Sequence, residues 1–375
     1  LVWPLVMDLM QDRDRQRFEF GVLPESLREL LQTMKAPLQP VVHCLDKMSD
    51  MLQKSLDPNE TGDFQREVAE AWQAPVGIML ARAEELSEAL SWIAAEEAEG
   101  ELPVARWLSK RPYGDDWDIS LSASPISVAA QLRRNLWNRC YGAVVTSATL
   151  TALNSFNSLK WEAGLPDWAV YERVASPFNY PELGQLEVVQ LASDPKSEAF
   201  ESDVQNWLKE AVNPDEATLV LFSSRAQLEA TRDYFIRDWY EHLLCQGYLP
   251  KSEIVRRHKE RIDNGKGNVI FGLASFAEGI DLPGEYVTHV VIVKIPFAVP
   301  DDPIQSAISE WMESRGRNPF MELTLPAASI RLIQACGRLI RKESDHGKVS
   351  ILDKRLVSSR YGQLLLDSLP PFRRV

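Results

Sequence analysis

The sequence predicts an α/β protein with a mainly parallel sheet, preceded by a helical segment. Two features carry that prediction. From Asp118 onward, short apolar runs alternate with helix-patterned stretches, the texture of strands joined by crossover helices. From about residue 8 to 110, Leu, Met, Ala, Glu and Gln recur at helical spacing and β-branched runs are scarce. At 375 residues, 45% hydrophobic and 25% charged, the chain is long enough for two or three domains with full cores.

In the first segment, Leu27-Leu30-Leu31-Met34 and Leu80-Ala83-Leu86-Ala89-Leu90 mark helix faces. Pro37 and Pro40 interrupt the first helical region and Asp57 to Gly62 reads as a loop, so three or four helices are expected. The acidic run Glu96 to Glu101 reads as a solvated helix end. Strands are predicted at Ala143–Val145, Leu186–Val189, Thr218–Phe222, Asn268–Phe271, His289–Val293 and Val349–Leu352. Helices should fill about 199–211, 225–242, 303–315, 326–341 and 358–367. Ser176 to Pro181 reads as a hinge, which divides the chain into 1–117, 118–180 and 181–375. No internal repeat is present.

Composition narrows the chemistry. No apolar run approaches the length of a bilayer span, and the N-terminus has no signal-peptide pattern, so a soluble, cytoplasmic protein without membrane contact is expected. Leucine at the first position suggests a fragment. The net charge of -13 opposes non-specific attraction to nucleic acid, so any contact with phosphates must be local. The densest basic stretch, Arg256 to Lys266, reads as a solvated helix face or, less simply, a contact to a DNA backbone. Cys44, Cys140, Cys245 and Cys336 are too far apart in sequence for a compact metal motif, and no metal site is expected.

The chemistry-bearing residues cluster in four places. Gln334, Gly337, Arg338 and Arg341 fall at helical spacing, where a guanidinium could reach a phosphoryl group under cleavage; solvated arginines on a surface helix would have the same pattern. Thr146, Ser147 and Thr149 follow the Val144-Val145 strand, either as a polar site or as a turn capping a helix. Ser275 to Gly284 follows the Asn268–Phe271 strand, with Gly279 and Gly284 permitting sharp bends and Glu278 and Asp281 spaced to face one side. Ser223 and Ser224 follow the Thr218–Phe222 strand, where Ser223 could equally cap the next helix.

Together, Val144 to Leu150, Ser275 to Gly284 and Gln334 to Arg341, in this order, resemble the third, fifth and sixth motifs of superfamily 2 DNA helicases of the XPD-like branch. Ala274 to Gly279 and Ile351 to Arg355 are similar to the bacterial DinG/YoaA family within it, specifically from about Leu121 to the C-terminus. The resemblance implies a RecA-like motor domain over 181–375, the C-terminal remnant of a first motor domain over 118–180 and an arch-like helical insertion over 1–117. It implies Arg338 and Arg341 as arginine fingers with Gln334 orienting them. Glu278, Gly279, Asp281 and Gly337 would face the nucleotide, and Thr146, Ser147, Thr149, Ser223, Ser224, Ser275 and Phe276 the DNA.

The implied activity is ATP-dependent 5′ to 3′ unwinding in replication or repair, on single-stranded or forked DNA. No GxxxxGK[ST] loop and no Asp-Glu-Ala-His box occurs in the sequence, so ATP and Mg2+ would be completed by residues outside this chain, which alone should be inactive. A 4Fe-4S cluster is likewise implied, with ligands outside this chain. The family also suggests a docking role toward the chi subunit of the replicative polymerase's clamp loader. Leu369 to Val375 then reads as an exposed tail with Phe372, Arg373, Arg374 and Val375 as the contact, or simply as a frayed end.

Overall fold

The computed structural model describes residues 2–11, 13–96, 102–114, 116–273, 276, 278–298 and 301–375. The chain divides into two compact units, one of residues 1–127 with 300–318 and one of residues 128–299 with 319–375. Residues 300–318 lie within the second α/β segment by sequence, yet they group with the N-terminal unit.

The N-terminal unit has helices at Val2–Met10, Glu25–Lys35, Leu38–Leu56 and Arg66–Ala94, matching the expected helical texture. It also holds a sheet that the helical reading missed. Strand β1 (Arg15–Arg17) pairs antiparallel with β2 (Val104–Tyr113), which pairs antiparallel with β3 (Asp116–Pro125). The signal was local: Ile119, Leu121 and Ala123 alternate onto one core-facing side, and Gly114, at φ +62°, turns the chain between β2 and β3. Buried Arg106 on β2 donates to the carbonyls of Gly21, Trp92 and Ala95, placing a cation at the C-terminal end of the long helix. The Pro303–Ser314 helix joins this unit through an Arg17–Glu310 ion pair and a bond from the Phe20 N–H to Glu310.

The second unit is built on a seven-stranded parallel sheet in the order β10-β4-β9-β8-β5-β7-β6. The strands are β4 (Gly184–Val188), β5 (Ala217–Phe222), β6 (Leu243–Cys245), β7 (Asn268–Leu273), β8 (His289–Ile292), β9 (Gly347–Ile351) and β10 (Arg373–Arg374). Central β5 is buried along its whole length, because helices cover both faces of a parallel sheet. Leu219, Leu221, Ile270 and Ile292 point to one core, packed by the Lys251–Asp263, Leu325–Cys336 and Gly362–Ser368 helices. Val220, Phe222, Phe271 and Val291 point to the other, packed by the Ala199–Ala211 and Arg225–Phe235 helices. The α/β class and parallel sheet are as expected, and the period-two division puts helices on both faces of the sheet.

Three expectations are corrected here. Ala143–Val145 forms no strand; it runs as unpaired backbone with Val144 exposed, since no strand of this unit lies alongside it. The helix expected over 326–341 stops at Cys336. The tail is not frayed: Phe372 is only 5% exposed, packs edge-on to Tyr180 at 5.3 Å, and leads into β10, which pairs with β4. Leu369 and Phe372 carry enough apolar surface to hold the end in the core, which composition alone did not reveal. No described helix is long and apolar enough to cross a membrane.

Candidate phosphate and nucleic-acid site

Because every strand of the large sheet is parallel, the loops after β5, β7, β8 and β9 emerge at one edge. The loop after β7 is bent twice, at Gly279 (φ +71°) and Gly284 (φ +67°), where a side-chain-bearing residue would be strained. Lys251 donates to the Glu278 carbonyl and holds the first bend. Gly284 N–H donates to Asp345 Oδ1 at 3.0 Å, which fixes the second.

Gly337 ends the Leu325–Cys336 helix, its N–H donating to the Ile333 carbonyl at 2.8 Å. Gly337, expected on the nucleotide side, therefore serves as a helix end whose N–H is already used. Arg338 and Arg341 lie on the turn beyond, so they share no helix face. Tertiary structure gathers them instead. Arg338 donates to the carbonyls of Ile280 (3.1 Å) and Gln334 (3.2 Å), and Arg341 donates to the same Ile280 carbonyl. The Arg341 guanidinium also pairs with Asp281, whose side chain is 79% exposed against 18% for the arginine.

Buried Asp345 organises this turn, accepting the N–H groups of Arg341 at 2.8 Å and Lys342 at 3.0 Å as well as that of Gly284. Sequence reading missed it, since a lone Asp in Glu343-Ser344-Asp345-His346-Gly347 looks like any polar turn. Asp353, named within the Ile351 to Arg355 stretch without a role, joins two strand ends by accepting the Ile295 N–H at 2.9 Å and pairing through both oxygens with Arg355. Burial, and then the neighbouring Arg341 cation, pull the Arg338 pKa below its ordinary value. Both guanidiniums are thus held on the Ile280 carbonyl.

The remaining candidates sort by exposure. Gln334 Nε2 approaches Thr149 Oγ1 at 3.5 Å, which brings two of the motifs together. Thr146, Ser147 and Thr149 line a cleft of about 660 Å3 whose other wall includes Leu369 to Pro371. Ser223 and Ser224 are exposed after β5, and it is Ser224 that caps the Arg225–Phe235 helix, accepting from Gln227 N–H at 3.3 Å. Phe276, expected on the DNA side, is buried in the core against Gly272, so its ring has no free face on which a base could stack. Ser275 lies outside the described residues.

The basic helix is neutralised in part by its own acids. Arg256 and Arg257 both bond Glu253, holding its carboxyl down at about 2, and Arg256 also bonds Glu260. The cysteines do not suit an iron-sulphur cluster: Cys245 and Cys336 are buried with thiols pushed up to about 12 by desolvation, and among the described residues no three His, Cys, Asp or Glu side chains lie together as a ligand set.

Residues 208–372 match the helicase C-terminal domain family. The chain is 37% identical over 366 residues to the ATP-dependent DNA helicase DinG of Photobacterium profundum, covering 96% of this chain and 52% of that protein. It is 33% identical over 366 residues to the ATP-dependent DNA helicase DinG of Escherichia coli (strain K12), covering 95% and 50%. It thus spans about half the length of the curated relatives it matches. Among solved structures, an apo XPD superposes with TM-score 0.52 at 15% identity, covering 98% of this chain and 74% of that one. An XPD helicase superposes with TM-score 0.51 at 15% identity, covering 96% and 65%. With the helicase C-terminal domain match on the parallel sheet and an alignment to DinG helicases over nearly the whole chain, this chain is similar to DinG helicases and has an XPD-like fold.

Proposed function

We propose that this chain is the C-terminal motor half of an ATP-dependent DNA helicase. One observation carries the reading: Arg338 and Arg341 converge on the Ile280 carbonyl beside Asp281, at the loop edge of a rigid parallel sheet. Cleavage of a γ-phosphoryl group spreads negative charge over its oxygens, and two preorganised guanidiniums neutralise that charge without reorganising. The exposed pair with Asp281 parks Arg341 and is weak enough in water to yield to a phosphate. Gln334 orients the arginines, while Glu278 and Gly279 contact the nucleotide from the bent loop.

The phosphate loop and the carboxylates that hold Mg2+ belong to residues outside this chain, as do any cluster ligands. Residues 128–180, the part of the expected 118–180 segment that lies outside the N-terminal unit, then complete the first motor domain. Their unpaired Ala143–Val145 stretch, with Val144 exposed, has the sequence of a strand and supports that reading. The exposed hydroxyls of Thr146, Ser147, Ser223 and Ser224 and the half-buried one of Thr149, together with Ser275, contact single-stranded DNA through its phosphates, giving little sequence preference. Closure and reopening of the motor around ATP move the strand 5′ to 3′ in replication or repair. The docking reading toward the chi subunit keeps exposed Arg373, Arg374 and Val375 but loses its anchor, because Phe372 is a core residue.

The test is steady-state ATP hydrolysis by the full-length protein with single-stranded DNA. Arg338→Ala and Arg341→Ala should each lower turnover by roughly 10³-fold while ATP affinity stays within a few-fold, and Gln334→Ala should lose less. Unchanged turnover in both arginine variants would remove this turn from the ATP site.

A further inference from the structure

Leu153 and Asn154 stand at φ +49° and +62°, the only adjacent non-glycine pair in the left-handed region among the described residues. Around them Ala152 and Ser155 exchange both N–H···O bonds at 2.9 Å, so the four residues form a tight reversal of the primed type, which suits Asn-Gly. Asparagine tolerates that backbone; leucine is strained in it. Glycine at 153 would make the turn without strain, so the leucine is held there by what its side chain and N–H reach.

The Leu153 N–H donates to Ser329 Oγ at 3.2 Å, and its side chain packs on the core that contains Leu332, Leu365 and Leu369. Ser329 and Ser368 are buried with their hydroxyls 2.9 Å apart, and the Ser368 hydroxyl donates to the Leu365 carbonyl at 2.7 Å. One proton per hydroxyl fixes the direction of the chain: Leu153 N–H to Ser329, Ser329 to Ser368, Ser368 to Leu365. Asn154 adds a second anchor, its Nδ2 donating to the Asp367 carbonyl at 2.9 Å and its Oδ1 accepting from Arg173 at 2.6 Å. Just upstream, Thr149 meets Gln334 at 3.5 Å, and Ser329 and Gln334 belong to the one helix that runs into the turn of Arg338 and Arg341. On the motor reading proposed above, we infer that the Leu153-Asn154 turn is a positioning element: seated on Ser329, it sets the DNA-facing Thr146–Thr149 loop in register with the helix that presents the arginines. Without this peg the loop keeps its hydroxyls and the helix its arginines, but DNA held at one is no longer felt at the other.

The test is ATP turnover of the full-length protein with and without saturating single-stranded DNA, read as the ratio of the two. That ratio does not depend on the folded fraction, so a loss of stability alone leaves it unmoved. Leu153→Gly relaxes the backbone while removing the peg, and Ser329→Ala removes the hydroxyl that receives it. Each should cut the ratio by at least ~5-fold while the Kd for a dye-labelled oligo-dT stays within ~2-fold. Leu153→Met refills the socket and should keep the ratio within ~2-fold of the wild-type value. If Ser329→Ala does not fold, the two variants at half-buried Leu153 decide alone. A wild-type ratio in Leu153→Gly, or an equal loss in Leu153→Met, overturns the inference and leaves the motor reading standing. A wild-type protein whose turnover ignores DNA overturns both.

Discussion

Asp345 and Asp281 lie on either side of Arg341 and do different work. Asp345 is buried and accepts three backbone N–H groups, so replacing it leaves all three donors without a partner in a dry site. Asp345→Ala should cost about 3 kcal/mol or more, read as a lowered denaturant midpoint, and should reduce turnover by loosening the turn that carries Arg341. Asp281 is exposed and its pair is screened, so Asp281→Ala should change stability by under about 1 kcal/mol. Comparable losses in the two variants would show that burial does not separate their roles. The sequence could name Arg338 and Arg341 but not Asp345, because what makes it special is the desolvation of its carboxylate by elements sixty residues apart.

At the scale of elements, the C-terminal strand and the central sheet make distinct predictions. Phe372 fills the space over Gly184, where even an added Cβ would sit 2.5 Å from its ring. Phe372→Ala should cost about 3–5 kcal/mol, and removing residues 369–375 should cost at least as much, since it also strips β10 from β4. A truncated protein with an unchanged thermal melt would return the tail to the surface. On β8, His289 is buried beside Ser350, 3.0 Å from its hydroxyl, and burial, followed by the Lys348 charge, pushes its pKa down to about 3. The unfolded chain then binds a proton that the native state refuses. Stability contributed by neutral His289 is full above the ordinary value near 6.5 and is lost as pH falls from there toward 3. Urea midpoints across that window should drop, and His289→Gln should flatten the drop.

For the whole molecule, the motor reading predicts division of labour. The chain alone should hydrolyse no ATP above background even with Mg2+ and single-stranded DNA, and fusing it to the N-terminal half of a DinG relative should restore turnover. Hydrolysis by the chain alone, abolished by Arg341→Ala, would mean that its own residues cradle the phosphates. On the same reading, the net charge of -13 opposes non-specific attraction to phosphates, so DNA binding should be weak and should fall with salt.

The sequence by itself determined the parallel α/β core, the order of its motifs and the residue types at the candidate site. Those depend on period-two burial and local turn chemistry, which are written residue by residue in Thr218–Phe222, Asn268–Phe271 and Gly279. Only the tertiary structure decided that the Leu325–Cys336 helix ends before its arginines, that Phe276 and Phe372 face the core, and that Ala143–Val145 stays unpaired. Helical spacing puts Gln334, Arg338 and Arg341 together on paper, yet a Gly337 cap breaks the helix and the Ile280 carbonyl brings the arginines together from another loop. A strand propensity becomes a strand only when a neighbour takes its hydrogen bonds, and a hydrophobic tail becomes core only when a pocket of its size exists.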